Sequence, residues 1–132
     1  MPETTTTYYY ARTLDLSLEE AEARVREELK EEGFGVLTEI DVAATLKKKL
    51  DADFRPYKIL GACNPSFAHQ ALQAEDKIGT MLPCNVIVQE KDGRTEVAAV
   101  DPIASMQAVE NQDLGPIAEQ VRDRLRAVID RL

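Results

Sequence analysis

The sequence has no tryptophan, one histidine and two cysteines, and aromatic residues make up only 5% of its 132 positions. Four tyrosines are present, and three of them fall together at Tyr8, Tyr9 and Tyr10. That scarcity leaves no aromatic platform on which bases could stack. Positive charge is also short: 16 Lys and Arg stand against 24 Asp and Glu, for a net charge of −8. Duplex affinity depends on Lys and Arg releasing counterions, so no nucleic-acid partner is expected. The densest basic run, Lys47, Lys48 and Lys49, has no interleaved aromatics and reads as a solvated helix face. No apolar run approaches the roughly 20 residues that cross a bilayer, which argues against a membrane partner. Met1 to Thr7 shows neither the basic start nor the apolar stretch of a secretory signal, so the expected location is the cytoplasm. Cys63 and Cys84 are too far apart for a CxxC redox motif and do not form paired zinc knuckles. A reducing cytoplasm also disfavours a structural disulfide between them.

What is present describes a soluble globular chain. With 44% hydrophobic and 30% charged residues it is too apolar for intrinsic disorder. Its length suits one domain spanning residues 1–132, and neither a linker nor a repeat interrupts it. Strand and helix signals alternate. Tyr8 to Leu14, rich in aromatic and β-branched residues, reads as a strand. Ser17 opens a helix as N-cap with Glu20 closing the capping box; Leu18, Ala21, Val25 and Leu29 form its stripe and Gly33 ends it. Phe34, Val36, Ile40 and Val42 alternate with Gly35, Leu37, Glu39 and Asp41, predicting a second strand. Asp41 then caps a short helix carrying Val42, Leu46 and Leu50 on one side. A third strand runs from about Arg55 to Cys63. Asn64 as N-cap and Pro65 as first residue start a further helix, expected to turn Phe67, Ala68, Ala71 and Leu72 inward. Cys84 to Glu90 and Arg94 to Val100 form a hairpin about Asp92 and Gly93. A last helix runs from about Gly115 or Pro116 to Leu132. The expected class is α+β, with an antiparallel or mixed β-sheet, helices packed on one face and the order β-α-β-α-β-α-β-β-α.

The hairpin turn also sets a register. With Asp92 and Gly93 central, Lys91 faces Arg94, Val88 faces Val97, Val86 faces Ala99 and Cys84 faces Asp101. Chemistry therefore concentrates between Gly61 and Cys84. Cys63 sits just before a helix start, where the helix dipole favours a thiolate that is nucleophilic or metal-binding. Against this, free cysteine is commonly a packed, inert residue, and for both cysteines that plainer reading carries more weight. His69 lies well away from the apolar stripe of its helix and should face solvent or a cleft. A Cys63, His69 and Cys84 set has metal-ligand residue types, yet no spacing forces them together, and no metal is assigned. A Cys63 and His69 nucleophilic pair, oriented by Asp76 or Asp101, is open on the same terms. Asp41 and Asp101 are carboxylates that read as readily as a cap and a turn residue. Asn64 and the free amides after it could hold an anion, although most helix starts hold only their cap.

The run Ile59-Leu60-Gly61-Ala62-Cys63-Asn64-Pro65, with Ala68, then Ile78-Gly79 and Leu82-Pro83-Cys84-Asn85-Val86, resembles the signature of domain-of-unknown-function family 302. Glu39-Ile40-Asp41 and Lys49 fit the same pattern. The resemblance spans nearly the whole chain. It implies a compact α+β fold with helices on one antiparallel or mixed sheet, a homodimer, and no established activity; Cys63 and Cys84 carry over as signature positions without a role. No cofactor follows from the residues or from the resemblance. The leading functional reading is a small-molecule binding or sensing domain, with Cys63, Asn64, His69, Cys84 and Asp101 as candidate ligand-binding residues, because Gly, Pro, Asn and Cys gather where strand ends form concave sites. The alternatives are a thiol- or metal-dependent enzyme using Cys63, and a structural protein that dimerises through a sheet edge or its final helix.

Overall fold

A computed structural model describes residues 8–132. The reading of Met1 to Thr7 therefore lies outside the described residues. Five strands, β1 (Tyr9–Leu14), β2 (Gly35–Asp41), β3 (Tyr57–Cys63), β4 (Cys84–Lys91) and β5 (Arg94–Val100), form one sheet in the order β1-β5-β4-β3-β2. Every neighbouring pair is antiparallel. The helices are α1 (Leu18–Glu31), α2 (Val42–Leu50), α3 (Pro65–Ala74), α4 (Pro102–Ser105) and α5 (Leu114–Asp130), with a 3-10 turn at Ile78–Met81. The α+β expectation holds, and the sheet is purely antiparallel. The short α4 was not anticipated; Asp101 caps it through Oδ1, which accepts from the Ile103 amide at 2.9 Å.

Local signals explain most of these elements. Ser17 Oγ accepts from the Glu20 amide while Glu20 Oε1 accepts from the Ser17 amide, the reciprocal bonds of a capping box. Asp41 Oδ1 caps α2 at the Ala44 amide. Asp92 and Gly93 both take positive φ, 52° and 77°, as a two-residue type I′ hairpin requires. The pairs Lys91 with Arg94, Val88 with Val97 and Val86 with Ala99 form as the turn dictates.

Register then sorts side chains to two faces. Leu60, Ala62, Val86, Val88, Val97 and Ala99 point to one face and are buried there with Val25 and Leu29 of α1 and Val121, Leu125, Val128 and Ile129 of α5. Because β1 and β2 lie at opposite sheet edges, α1 must carry the chain across this core face. Its N-terminal half is tied to the sheet by Lys58 on β3, whose Nζ donates to Glu22 on α1 at 2.9 Å. Burial pushes the Glu22 carboxyl up, but Lys58 and Arg26 outweigh it and leave the group below its ordinary value.

Three sequence expectations fail for identifiable reasons. The alternation of Phe34, Val36, Ile40 and Val42 is broken by an irregularity between Val36 and Thr38. Val36 stays on the core face while Ile40 pairs with Ile59 on the other, 47% exposed. A bulge residue costs one step of the period-two pattern, and here that residue is Leu37. Leu50 is 71% exposed and α2 has no fully buried residue: Val42 and Leu46 are half-buried at its start, and the stripe runs off the sheet before Leu50. Leu72 likewise faces outward, leaving Phe67 and Ala71 as the buried residues of α3.

Gly61 marks a close approach. A Cβ there would meet the Thr38 hydroxyl well inside contact distance and lie 2.7 Å from Pro83 Cγ. Gly61→Ala is expected to destabilise the fold by about 1–3 kcal/mol, the usual cost of overpacking. Adding Thr38→Ala should recover part of the loss; urea midpoints of the two variants measure both, and an unshifted Gly61→Ala midpoint would contradict the crowding.

Candidate functional site

The strand ends at one edge of the core enclose a cavity of about 250 Å³. Ala62 and Cys84, which face each other across β3 and β4, form its floor. Phe67, Ala68 and Ala71 of α3 make one wall, and Ile117, Ala118 and Val121 of α5 make another. Phe34, Leu37, Leu82, Pro83, Pro102 and Met106 complete it, with Cys63 and Asn64 as further lining residues. No charged side chain lines the space. The reason for a void here is side-chain size. Ala62, Ala71 and Ala118 are all buried and converge here, whereas the middle of the core is filled mainly by Leu, Ile and Val.

Three of the five candidates from the sequence meet at this cavity: Cys63, Asn64 and Cys84. Cys63 ends β3 and is half-buried, and Cys84 opens β4 and is buried. Burial pushes the Cys84 thiol up to about 11, and the neighbouring Cys63 adds to the effect. Asn64 occupies the N-cap position of α3 but does not cap it. Its amide Nδ2 instead donates to the Glu32 carbonyl at 3.3 Å, so it ties the end of α1 to the start of α3. His69 is exposed on α3 and lies outside the lining. Asp101 also lies outside it. The register would bring Asp101 opposite Cys84, but β5 ends at Val100 and the carboxylate is engaged elsewhere: it caps α4 and pairs with Arg126 at 3.6 Å. Among the described residues, no group of three or more His, Cys, Asp and Glu could hold a metal ion.

Sequence reasoning did not find the residues that α5, α4 and the start of β2 contribute, such as Phe34, Met106, Ala118 and Val121. Their only sequence signal was an apolar stripe, which reads as core. Lining and core differ only in whether the opposing residue is large enough to fill the gap.

A five-stranded antiparallel sheet with one helical layer and an uncharged cavity at its strand ends defines an α+β domain. Residues 10–132 match the family described as Domain of unknown function DUF302, and the chain belongs to that family. Among solved structures, the crystal structure of uncharacterized conserved protein DUF302 from Bacillus stearothermophilus is similar, at 32% identity. The likeness covers 96% of this chain and 98% of that chain, with a TM-score of 0.89. No protein with curated annotation matches. The family carries no established activity. Among the described residues, no helix is long and apolar enough to cross a membrane.

The cysteine environments have a measurable consequence. At pH 8 one thiol, Cys63, should react with a thiol reagent in the folded protein, and Cys84 only after unfolding. Because the folded-state pKa of Cys84 is raised to about 11, the unfolded chain releases this proton first as pH rises. Stability should therefore be insensitive to this group below about pH 8.5 and fall between about pH 9 and 11, by at most about 1.4 kcal/mol per unit. Cys84→Ala should flatten that decline in pH-dependent urea unfolding; an identical slope in the variant would refute the assignment.

Proposed function

We propose that this domain binds a small apolar molecule, or the apolar part of one, in the cavity between the strand ends, α3 and α5. The observation that carries the reading is the lining: an opening of about 250 Å³ walled by aliphatic, aromatic and small side chains, with no charge. Engineered apolar cavities of about 150 Å³ stay dry and take up benzene. A natural one that is larger and reaches the surface at the exposed Leu37 is suited to a ligand of the same character. The thiol- or metal-enzyme reading draws less support. Burial keeps the Cys84 thiol protonated, His69 stands outside the cavity, and Asp101 is committed to its cap and to Arg126.

Thermal denaturation with neutral apolar compounds such as naphthalene and 1-octanol tests the proposal. A ligand at 100 times its Kd adds about 2.7 kcal/mol, a rise in Tm on the order of 10 °C. Ala68→Phe fills the space from a half-buried helix position; it should keep the fold by circular dichroism and lose the rise. A wild-type Tm indifferent to every such compound counts against binding.

A second reading, homodimerisation, is favoured by the sheet face opposite the helices. The surfaces first expected for it are less suited: the apolar stripe of α5 is buried in its own core, and the free edge of β2 carries the irregularity. The open face instead carries Ala11, Ala98, Ile87, Ile59 and Ile40 in one row across all five strands, of which Ile40 is exposed, Ile59 and Ile87 are half-buried, and Ala11 and Ala98 are buried. A row of Thr13, Glu96, Gln89 and Tyr57 flanks it, in which Gln89 donates to Glu96 at 2.9 Å and accepts from Arg55 at 2.8 Å. Glu96 is the one charge in those two rows. A chain of net charge −8 meets little self-repulsion at a face with one carboxylate in these rows, which suits a second copy. Strand spacing and rise give roughly 1,000 Å² over two copies, at the low end of specific interfaces. Sedimentation at micromolar concentration should show a dimer, and Ile87→Lys should convert it to a monomer with unchanged secondary structure. A wild-type monomer would exclude this reading.

A further inference from the structure

The cavity admits a chain but offers nothing to a charge, so an amphiphilic ligand must leave its head at the rim. The rim holds a matching group. Asn64, which lines the cavity, donates to the Glu32 carbonyl at 3.3 Å, and Arg124 Nη1 on α5 donates to the same oxygen at 3.2 Å. The two donors therefore sit side by side over Gly33, where an added Cβ would lie 3.1 Å from Asn64 Nδ2 and 3.9 Å from Arg124 Nη1. Arg124 is further held by the ring of Phe67, a cavity wall, whose centroid is 5.2 Å from the guanidinium carbon.

Arg124 also differs from its neighbours in charge pairing. Arg122 pairs with Asp123, Arg126 with Asp101, and Arg131 with Glu28 and Glu32. Among the described residues Arg124 has no carboxylate partner, in a chain with 24 acidic residues and 16 basic ones. Glu32, whose backbone carbonyl Arg124 contacts, has its carboxylate paired with Arg131 at 2.8 Å. Nε and Nη2 of Arg124 make no hydrogen bond to the described residues, which leaves one edge of the guanidinium for two parallel bonds to a carboxylate.

Resting on the reading of the cavity as a ligand site, we propose that its ligand is an aliphatic or aryl monocarboxylate, with the apolar part inside and the carboxylate held at the rim by Arg124 and Asn64. Scaled from a 150 Å³ cavity that holds benzene, the space takes an apolar part of roughly six to nine carbons. Within that length each methylene should tighten binding about fourfold, and longer chains should gain little.

Calorimetric titration at 0.15 M salt with octanoate, 1-octanol and octylamine separates head from chain. Wild type should bind octanoate about tenfold more tightly than 1-octanol, and octylamine no better than 1-octanol. Arg124→Gln should reduce octanoate to the affinity of 1-octanol while leaving 1-octanol unchanged, and Ala68→Phe should abolish both. Equal binding of octanoate and 1-octanol in wild type, a preference that survives Arg124→Gln, or a preference for octylamine would each overturn the carboxylate assignment and leave the cavity reading standing. Failure of all three compounds to bind would overturn both.

Discussion

The register of the central hairpin governs everything else in this molecule. Asp92 and Gly93, with φ of 52° and 77°, allow only two residues between β4 and β5 and thereby pair Val88 with Val97 and Val86 with Ala99. A slip of one residue with β5 held in place would turn Ile87 toward the helices and put Val86 and Val88 into solvent, because side chains alternate with a period of two. The helical layer depends on that choice. Val25 and Leu29 of α1 and Leu125, Val128 and Ile129 of α5 are all fully or almost fully buried against the face the turn selects.

The same alternation accounts for the position of the cavity. At the strand ends the core face narrows to Ala62 and Cys84, and the helices above contribute Ala71 and Ala118. Four small side chains meet where elsewhere β-branched and leucine side chains interdigitate, so the layers are held apart without being filled. The polar groups are set at the margin of this space. Asn64 and Arg124 share the carbonyl of Glu32, which links the end of α1, the start of α3 and the side of α5 at a single atom.

Local features were the most legible in the sequence. The capping box at Ser17 and Glu20, the cap at Asp41 and the hairpin at Asp92 act over four residues or fewer, so residue type alone specifies them. Ile40, Leu50 and Leu72 were less legible. Their hydrophobicity matched a periodic pattern, but exposure depends on whether another element covers them, and none does. Asn64 shows the same limit in a polar residue. Its type favours a cap, yet its Nδ2 donates to the carbonyl of Glu32, 32 residues earlier, and the side chain makes no bond to the α3 amides. Of the candidate site, Cys63, Asn64 and Cys84 came from strand-end position and Asp101 from the hairpin register, whereas His69 was grouped with them by chemical type. Exposure of His69 and the capping duty of Asp101 separate them.

Sequence alone therefore determined the five strands and the four longer helices, the hairpin register, the α+β class and the family, since these rest on short-range backbone preferences and on a contiguous motif. Tertiary structure decided the strand order, with β1 and β2 at opposite edges, and the bulge that turns Ile40 outward. It also decided that Ala62, Ala71 and Ala118, far apart in the chain, converge on one unfilled volume beside Arg124. Volume is a property of the side chains that fail to meet, and only the packed chain defines which ones those are.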